Sequence, residues 1–199
     1  MPEGFEARAR ASGYRAVAGV DEAGRGPLAG PVVAAAVILP IGFRSDLIRD
    51  SKALSPSARE RAFSLIAAEA VSFAFALSTH DEIDEINILQ ASLLAMRRAV
   101  ERLSHPPDFL YVDGNRPIPC AVPQETLVAG DSRCLSVMAA SIVAKVTRDE
   151  MMEGFDREDP GYRFAAHKGY PTKEHIAAIR RLGPCPIHRK TFRGVRTQP

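Results

Sequence analysis

Cysteine is scarce in this chain and is not arranged to bind a metal or to form disulfides. The 199 residues include three cysteines, Cys120, Cys134 and Cys185, which lie far apart along the sequence. No two of them form a C-x-x-C pair, and their number is odd. This arrangement indicates neither a zinc site nor a disulfide framework, and we expect free thiols.

A long apolar run is also missing. The best candidate, PVVAAAVILPI at residues 31–41, is about half the length of a transmembrane helix and contains two prolines. The first residues, MPEGFEARARASGYR, lack the apolar core of a signal peptide. We therefore expect a cytoplasmic protein that has no membrane partner.

Acidic residues are scarce in one part of the chain. The net charge is +2, but residues 161–199 contain nine Lys or Arg and a single acid, Glu174. That segment carries a charge of +8, which leaves −6 for residues 1–160. A basic segment on an acidic body is typical of a protein that binds a polyanion. A solvated basic tail without a partner explains the same charge equally well.

The remaining composition is that of a globular protein, with 46% hydrophobic and 25% charged residues in a length that suits one compact domain. Apolar alternation predicts strands at 14–22, 31–39, 71–79, 108–114 and 124–131, of which the fourth stops at Asp113 and Gly114. Helical spacing predicts helices at 54–70, after Thr79, at 135–158 and at 172–184. Three of these helices have a predicted start: Ser55, a capping box of Thr79 with Glu82, and Thr172. The first two strands are close enough to form a hairpin. This order predicts an α/β protein, with a mixed sheet covered by helices.

Acidic residues end three of the predicted strands. Asp21 with Glu22, Asp113 and Asp131 each have a glycine nearby. Strand ends of an open α/β sheet commonly form ligand sites, and converging carboxylates repel one another unless a cation neutralises them. Oxygen ligands suit Mg²⁺ or Mn²⁺. Each acid alone is also typical of a turn, so the prediction depends on several strand ends meeting.

Two adjacent acids on one strand raise a geometric difficulty. Successive residues on a strand point to opposite faces, so Asp21 and Glu22 join one metal cluster only if the pleat breaks at Glu22. The glycines at positions 24 and 26 would allow such a break.

The stretch GVDEAGRG also approaches the phosphate-loop pattern G-x-x-x-x-G-K-[ST]. Arg25 stands in place of the lysine, Gly26 replaces the Ser or Thr, and two acids would face the phosphates. We therefore reject a nucleotide-binding loop. The Gly-Arg-Gly turn can still bring backbone N–H groups close to a sugar-phosphate.

Seven segments together resemble bacterial ribonuclease HII, a type 2 ribonuclease H. In chain order they are GVDEAGRGPLAGPVVAAAV, DSKALS, INILQASLLAM, YVDGN, AGDSRCLSVMAASIVAKVTRD, HKGYPTKEH and GPCPIHRKTF. The resemblance extends from about Ala18 to Phe192. It implies a ribonuclease H-like fold with a five-stranded mixed sheet flanked by helices. It also implies one catalytic domain over residues 1–199, in which the basic segment 161–199 is helical and binds substrate.

The resemblance further implies an activity. It predicts a metal-dependent endoribonuclease that hydrolyses the RNA strand of RNA–DNA hybrids. It also predicts incision 5′ of single ribonucleotides in duplex DNA, with 3′-hydroxyl and 5′-phosphate products. Such an enzyme serves ribonucleotide excision repair. A monomer is expected, and the sequence RGVRTQP at 193–199 shows no clear sliding-clamp docking motif.

Site residues follow from the same resemblance. It makes Asp21, Glu22, Asp113 and Asp131 the acids that hold the metal, with two divalent ions, Mg²⁺ or Mn²⁺, in the working complex. Two such ions can stabilise both the attacking and the leaving oxygens of a phosphodiester.

The resemblance also covers residues that recognise the substrate. It implies that Gly24, Arg25 and Gly26 read the ribose 2′-OH, and that Tyr170 stacks on the deoxyribose at the RNA–DNA junction. From the residues alone, Arg25 is equally an ion-pair partner of Asp21 or Glu22. Tyr170 alone is typical of a half-buried tyrosine before a proline turn.

Four further residues are predicted to contact phosphate. The resemblance of the DSK segment indicates Ser51 and Lys52, and Lys145 and Arg148 lie three residues apart on a predicted helix. A solvated helix face explains the last two nearly as well.

Two other functions remain open at this stage. A non-catalytic nucleic-acid binding module would explain the basic segment 161–199 but not the four acids, which repel a polyanion when no metal is present. A junction resolvase on the same fold would leave the Gly-Arg-Gly turn without a 2′-OH to read.

Overall fold

The structure, a computed structural model, describes residues 4–48, 51 and 54–195. The strands are β1 Val17–Ala23, β2 Val32–Ile38, β3 Ser72–Ser78, β4 Phe109–Asp113 and β5 Gln124–Leu127. The α-helices are α1 Phe5–Ala11, α2 Pro56–Glu69, α3 His80–Glu101, α4 Leu135–Glu158, α5 Phe164–His167 and α6 Lys173–Leu182. Within these ranges, none of the helices is long and apolar enough to cross a membrane.

The five strands form one mixed sheet in the order β3-β2-β1-β4-β5. Strand β2 is antiparallel to both of its neighbours, β1 and β3, whereas β1, β4 and β5 run parallel to one another. The predicted hairpin and the five-stranded mixed sheet are confirmed. Strand β1 is the central strand, so the acids near its end have a neighbouring strand on each side.

Helices α3 and α4 pack on opposite faces of the sheet. Ala34 and Ala36 of β2 belong to the core under α3, whereas Ala35 and Val37 belong to the core under α4. All seven residues of β2 are buried, which explains why its sequence, VVAAAVI, is apolar throughout rather than alternating. The many alanines allow both helices to approach the sheet closely.

Helix α4 begins directly against β1. A Cβ atom on Gly19 would lie 2.1 Å from the carbonyl carbon of Ser136, so only glycine fits at this contact. The carboxylate of Glu6, on α1, accepts hydrogen bonds from the backbone N–H of Ser136 at 2.7 Å and from its hydroxyl at 2.8 Å. Helix α1, which the sequence analysis did not predict, therefore caps the helix that forms one wall of the site.

The predicted helix starts are confirmed. The side chains of Ser55 and Thr172 accept hydrogen bonds from the first turns of α2 and α6. Thr79 and Glu82 form a reciprocal capping box at the start of α3. These signals involve residues close in sequence, which is why they can be recognised without the fold.

Helix α3 contains a break that was not predicted. Asn87 has a left-handed backbone with φ 67°, and its side-chain oxygen accepts hydrogen bonds from the N–H groups of Leu89 and Gln90. Its ψ of 163° is extended rather than helical, which interrupts the helix, and asparagine is a favourable residue for capping the turn that follows. Asn87 therefore ends the first part of α3 and starts the second, which runs beside the acids.

Residues 24–31, here called the β1–β2 loop, are covered by residues 185–192, here called the C-terminal strap. The N–H of Gly30 donates to the carbonyl of Ile187 at 2.9 Å, and the N–H of Arg189 donates to the carbonyl of Leu28 at 2.8 Å. Ala29 and His188 form an antiparallel bridge. The loop is thus paired with a segment that is distant in sequence.

Candidate active site

Asp21 and Glu22 lie within β1 rather than beyond its end. Strand pairing continues past them to Ala23, and Glu22 pairs with Ala34 of β2. Asp21 is hydrogen-bonded to Ser141 of α4. Glu22 faces the opposite side of the sheet, where it meets α3. The break in the pleat that the glycines would allow at Glu22 is absent, because the hairpin pairing holds the strand regular.

Asp113 stands beside both acids, at the end of β4. Val20 pairs with Val112 in the parallel register, so Asp113 is the neighbour of Asp21 on the adjacent strand. The charge of Asp113 raises the pKa of both Asp21 and Glu22. The two carboxylates on opposite faces of β1 thus share one electrostatic site around Asp113.

Asp131 is positioned by a turn rather than by a strand. Strand β5 ends at Leu127, four residues earlier than predicted, and the backbone then turns through Ala129 with a left-handed φ of 55°. Asp131 is buried in a single turn of 3-10 helix. The carboxylate of Asp113 accepts a hydrogen bond from the N–H of Gly130 at 2.7 Å, and this bond ties the turn to the end of β4.

Burial makes negative charge at this site unfavourable. Asp21 is 4% exposed, and desolvation, followed by the charges of Glu22 and Asp113, holds its pKa well above the ordinary value. Burial also raises the pKa of Glu22, against the opposing charge of Arg25. The Oε2 atom of Glu22 is buried without a hydrogen-bond partner. A bound cation would offset the unfavourable negative charge of these carboxylates.

The donor set fits a hard divalent cation. The groups are carboxylate oxygens, without a nearby histidine or cysteine, and oxygen ligands are what Mg²⁺ and Mn²⁺ prefer. The unpartnered Oε2 atom of Glu22 is available as a ligand. Within the described part of the chain, no three acidic, histidine or cysteine side chains are already gathered as a metal-binding group. A bound ion would therefore have to draw the carboxylates closer together.

Arg25 lies at the mouth of the site. Its Nη1 atom is 3.3 Å from Oε1 of Glu22, and its side chain is 51% exposed. The ion pair that the sequence left open is thus present. Arg25 is half-exposed whereas Glu22 is buried, so the guanidinium lies between the acids and the solvent, on the side from which a substrate phosphate would approach.

A shallow cleft next to Glu22 and Asp113 includes two residues that the sequence analysis missed. Asn115 and Arg116 line it on one side. The opposite wall is the second part of α3, with Leu89, Ser92, Leu93 and Met96. Both missed residues directly follow the segment YVDG, so their closeness to Asp113 in sequence was the available signal.

Gly24 and Gly26 serve different purposes. Gly24 has φ +101°, and a Cβ atom there would lie 2.1 Å from Nε of Arg148, so no other residue fits. A Cβ atom on Gly26 would lie 3.6 Å from Cε1 of Tyr170, which is an ordinary contact. The fold therefore requires glycine at position 24 but not at position 26.

Tyr170 lies beside the β1–β2 loop. The N–H of Leu28 donates to the carbonyl of Gly169 at 2.8 Å, which holds the two segments together. Tyr170 is 41% exposed, so part of its side chain is open to a ligand. The structure thus places Gly26 and Tyr170 side by side, and their action on one substrate stays a prediction.

Arg148 does not lie on a surface face of α4. It is 1% exposed, and its guanidinium donates to the carbonyls of Ala29, Pro31 and Lys168 at 3.0–3.2 Å. A direct phosphate contact and a solvated helix face, the two alternatives for Arg148, both disagree with this position. The reason is that the β1–β2 loop folds over α4 and turns its carbonyls inward, where they need donors.

Lys145 remains near the surface. Its ammonium group pairs with Asp149 at 2.7 Å and lies 6.0 Å from the centre of the Tyr170 ring. This position, one helical turn from the buried Arg148, is compatible with the predicted phosphate contact.

Ser51 is buried, and Lys52 lies outside the described residues. The Ser51 hydroxyl is 2.8 Å from that of Ser141, which in turn is hydrogen-bonded to Asp21. The predicted surface contact of Ser51 with phosphate does not agree with this burial. Ser51 instead supports Asp21 through Ser141.

The family model of ribonuclease HII matches residues 18–195. The chain belongs to the ribonuclease HII family. As a member it is a ribonuclease H, an endoribonuclease that acts on RNA–DNA hybrids. The family membership favours neither the binding module nor the junction resolvase.

Curated relatives cover almost the whole chain. Ribonuclease HII of Geobacter sulfurreducens is 58% identical over 192 residues, which are 96% of this chain and 88% of the relative. Ribonuclease HII of Syntrophotalea carbinolica is 56% identical, with 96% of this chain and 92% of the relative covered. The ribonuclease HII resemblance seen in the sequence is thereby confirmed.

Solved structures support the fold. Ribonuclease H2 from Pyrococcus horikoshii superposes with a TM-score of 0.75 at 29% identity, over 92% of this chain and 96% of that one. A Bst-RNase HIII structure in complex with Mn²⁺ has a TM-score of 0.69 at 19% identity, over 98% of this chain and 72% of that one. The predicted ribonuclease H-like fold is confirmed.

Proposed function

We propose that this enzyme, beyond hydrolysing the RNA strand of hybrids, nicks duplex DNA on the 5′ side of a single embedded ribonucleotide. The products would carry 3′-hydroxyl and 5′-phosphate ends. One observation carries the proposal: within the Gly24–Gly26 segment, Arg25 pairs with Glu22, and Gly26 lies next to Tyr170. A single sugar bound against this segment would lie between the reacting groups and an aromatic ring.

Asp21, Glu22, Asp113 and Asp131 are proposed to hold the divalent ions, two in the working complex, as Mg²⁺ or Mn²⁺. The buried, unpartnered Oε2 of Glu22 and the raised pKa of Asp21 support this assignment. Bound divalent ions supply charge that stabilises the attacking and leaving oxygens of the phosphodiester.

The protein's own groups fix the geometry around that charge. The N–H groups of Gly130 and Asp131 orient the Asp113 carboxylate at 2.7 and 3.4 Å. The Ser51–Ser141 pair does the same for Asp21. These contacts favour preorganised carboxylates, which is how such sites lower a barrier without a covalent intermediate.

The Gly24–Gly26 segment is proposed to read the 2′-OH. That hydroxyl both donates and accepts, and at a single site it is what distinguishes ribose from deoxyribose. The absence of a side chain on Gly26, where the fold would accept alanine, supports close approach of a sugar to the backbone. The exposed part of Tyr170 suits stacking on the deoxyribose that follows.

The basic segment 161–199, together with Lys145, is proposed to bind the phosphates on either side of the cut. Contacts of this kind make affinity fall steeply with salt concentration. We further propose that the enzyme acts as a monomer and in the cytoplasm. An archaeal neighbour, from Archaeoglobus fulgidus, is described as a complex with PCNA. For the present chain, residues 196–199 of the segment RGVRTQP lie outside the described residues.

A nicking assay tests the proposal. The substrate is a DNA duplex with one ribonucleotide, incubated with Mg²⁺, with Mn²⁺ or with chelator, and compared with an all-DNA duplex and a long hybrid. We expect a metal-dependent cut 5′ of the ribonucleotide and an intact all-DNA duplex. Cutting of the long hybrid alone would contradict the roles of Gly24–Gly26 and Tyr170, and cutting in chelator would contradict those of the acids.

A further inference from the structure

Arg189 is a fully buried arginine whose donors all serve the β1–β2 loop. Its side chain is 0% exposed. The guanidinium offers five N–H donors in a planar fork, and here each meets a backbone carbonyl. The acceptors, at 2.6–3.2 Å, are the carbonyls of Gly24, Arg25, Pro27, Gly30 and Pro31.

The direction of these carbonyls determines where the loop's N–H groups point. In a trans peptide the C=O and the following N–H point in opposite directions, and the described chain has no cis peptide bond. Because the carbonyls of Gly24 and Arg25 point toward Arg189, the N–H groups of Arg25 and Gly26 point away from it. Within the described residues, neither N–H has a backbone acceptor. Two donors are thus presented on the side of the loop that faces away from the core.

The charge of Arg189 is balanced by backbone dipoles at hydrogen-bond distance and by the charge of Asp84 at longer range. Among the described residues, no carboxylate lies within ion-pair distance of its guanidinium. Burial, together with the charge of the nearby Arg148, lowers its pKa to about 9. Burying such a group is unfavourable unless every donor is satisfied. The five carbonyls meet that condition only in the loop conformation described here.

Two anchors hold Arg189 in place within the C-terminal strap. After it, Asp84 of α3 accepts hydrogen bonds from the N–H groups of Lys190 and Thr191 at 2.7 and 2.9 Å. Before it, Nε2 of His188 lies 3.0 Å from Nε2 of His175. The strap on both sides of Arg189 is therefore anchored to α3 and α6 as well as to the loop that the guanidinium binds.

We propose that Arg189 is a positioning residue for recognition of the ribose 2′-OH. By binding the carbonyls of the β1–β2 loop from inside, it fixes the N–H groups of Arg25 and Gly26 toward the sugar. This inference rests on the proposed function of Gly24–Gly26. Arg189 does not contact the substrate, and it acts through the backbone of the loop.

Binding measurements separate this role from catalysis. Dissociation constants are measured with Mg²⁺ for a duplex with one ribonucleotide and for the all-DNA duplex of the same sequence. The background is Asp113→Asn, in which turnover is expected to be at least about a hundredfold slower, and the substrate is checked for cleavage after each measurement. Arg189→Met and Arg189→Lys are compared with Arg15→Met, a change of an exposed arginine before β1, at the other end of the strand from the acids. Circular dichroism and thermal unfolding report folding.

We expect Arg189→Met to reduce the preference for the ribonucleotide duplex by about tenfold, the equivalent of one or two hydrogen bonds. Arg189→Lys, which keeps the charge but not the planar fork, should recover only part of it, and Arg15→Met should retain it fully. If Arg189→Met does not fold, the preference of Arg189→Lys for the ribonucleotide duplex is used to test the proposal. A folded Arg189 variant with undiminished preference would overturn the proposal. No preference in the Asp113→Asn parent would instead contradict the 2′-OH reading itself.

Discussion

Asp113 accepts a hydrogen bond from the N–H of Gly130 at 2.7 Å, and this bond joins the end of β4 to the turn that carries Asp131. An amide oxygen at position 113 can accept the same bond. We therefore expect Asp113→Asn to fold with nearly unchanged stability. Turnover should fall by at least about a hundredfold, because the negative charge beside Asp21 and Glu22 is lost.

The measurement is a nicking rate on the single-ribonucleotide duplex together with a thermal unfolding midpoint. Asp81→Asn, which changes an exposed acid in the first turn of α3, is the matched control and should retain the wild-type rate. A wild-type rate from Asp113→Asn would remove Asp113 from the metal site.

The two glycines of the β1–β2 loop should respond differently to alanine. Gly24→Ala combines a positive φ with a Cβ atom 2.1 Å from Nε of Arg148, so we expect a loss of stability of about 2 kcal/mol or more. Gly26→Ala should keep wild-type stability but lose cutting at single ribonucleotides, because the methyl group stands where the sugar approaches. Urea unfolding and the nicking assay check both. Equal stability of the two variants would contradict the distinction.

Tyr170 should matter most where RNA meets DNA. We expect Tyr170→Ala to weaken cutting at lone ribonucleotides more than on long hybrids, since only the former depends on a single junction. Tyr170→Phe keeps the ring and should retain most activity on both substrates. Parallel kcat/KM measurements provide the comparison, and an equal loss on both substrates would refute the junction role.

Asp21 illustrates a site that sacrifices stability for function. Its pKa is raised in the folded protein, so as pH rises above the ordinary value of 3.8 the folded form holds its proton longer than the unfolded form. Without metal, the stability due to this group is therefore lost as pH rises through the folded pKa. At pH 7.5 in chelator, we expect Asp21→Asn to have a higher thermal midpoint than wild type, and no activity. A lower midpoint would contradict the unfavourable charge.

The buried pair of His175 and His188 joins α6 to the C-terminal strap. It should make the protein less stable as pH falls, the opposite of the effect of Asp21. Burial and the neighbouring His175 lower the pKa of His188 to about 4, against 6.5 for an ordinary histidine. The unfolded chain therefore takes up a proton first as pH falls, and the stability due to this group is lost between about pH 6.5 and 4.

Urea unfolding at pH 7 and pH 5 tests this effect. Wild type and the control His105→Gln, which alters an exposed histidine, should share one pH dependence. His188→Gln should be less stable at pH 7 and should show a weaker loss on acidification. An identical loss in His188→Gln would exclude His188 as its source.

The fold could be predicted wherever its determinants lie close together in sequence. The Thr79–Glu82 capping box and the β1–β2 hairpin are examples, since each depends on a few neighbouring residues. Asp21, Glu22 and Asp113 could be placed in one region because each lies at or near the end of a predicted strand. The turn that buries Asp131 could not, because it depends on Asp113 accepting a hydrogen bond from a backbone N–H 17 residues away.

The burial of Arg148 and Arg189 could not be predicted from local sequence patterns. The carbonyls that Arg148 binds in the β1–β2 loop lie 117–119 residues away in sequence, and those bound by Arg189 lie 158–165 residues away. On α4, Arg148 reads as part of a polar helix surface, and Arg189 follows a histidine in a stretch without helical or strand periodicity. Only the packed loop shows that both are interior donors.

The pairing of the β1–β2 loop with the C-terminal strap also has a consequence for the order in which the enzyme becomes functional. All four acids precede Arg189 along the chain, so a ribosome completes them before it adds the arginine that orients the loop. A partly synthesised chain would thus carry its acidic residues before it has the means to select a sugar. Under the role proposed for Arg189, sugar selection would therefore be completed only after all four acids are in place.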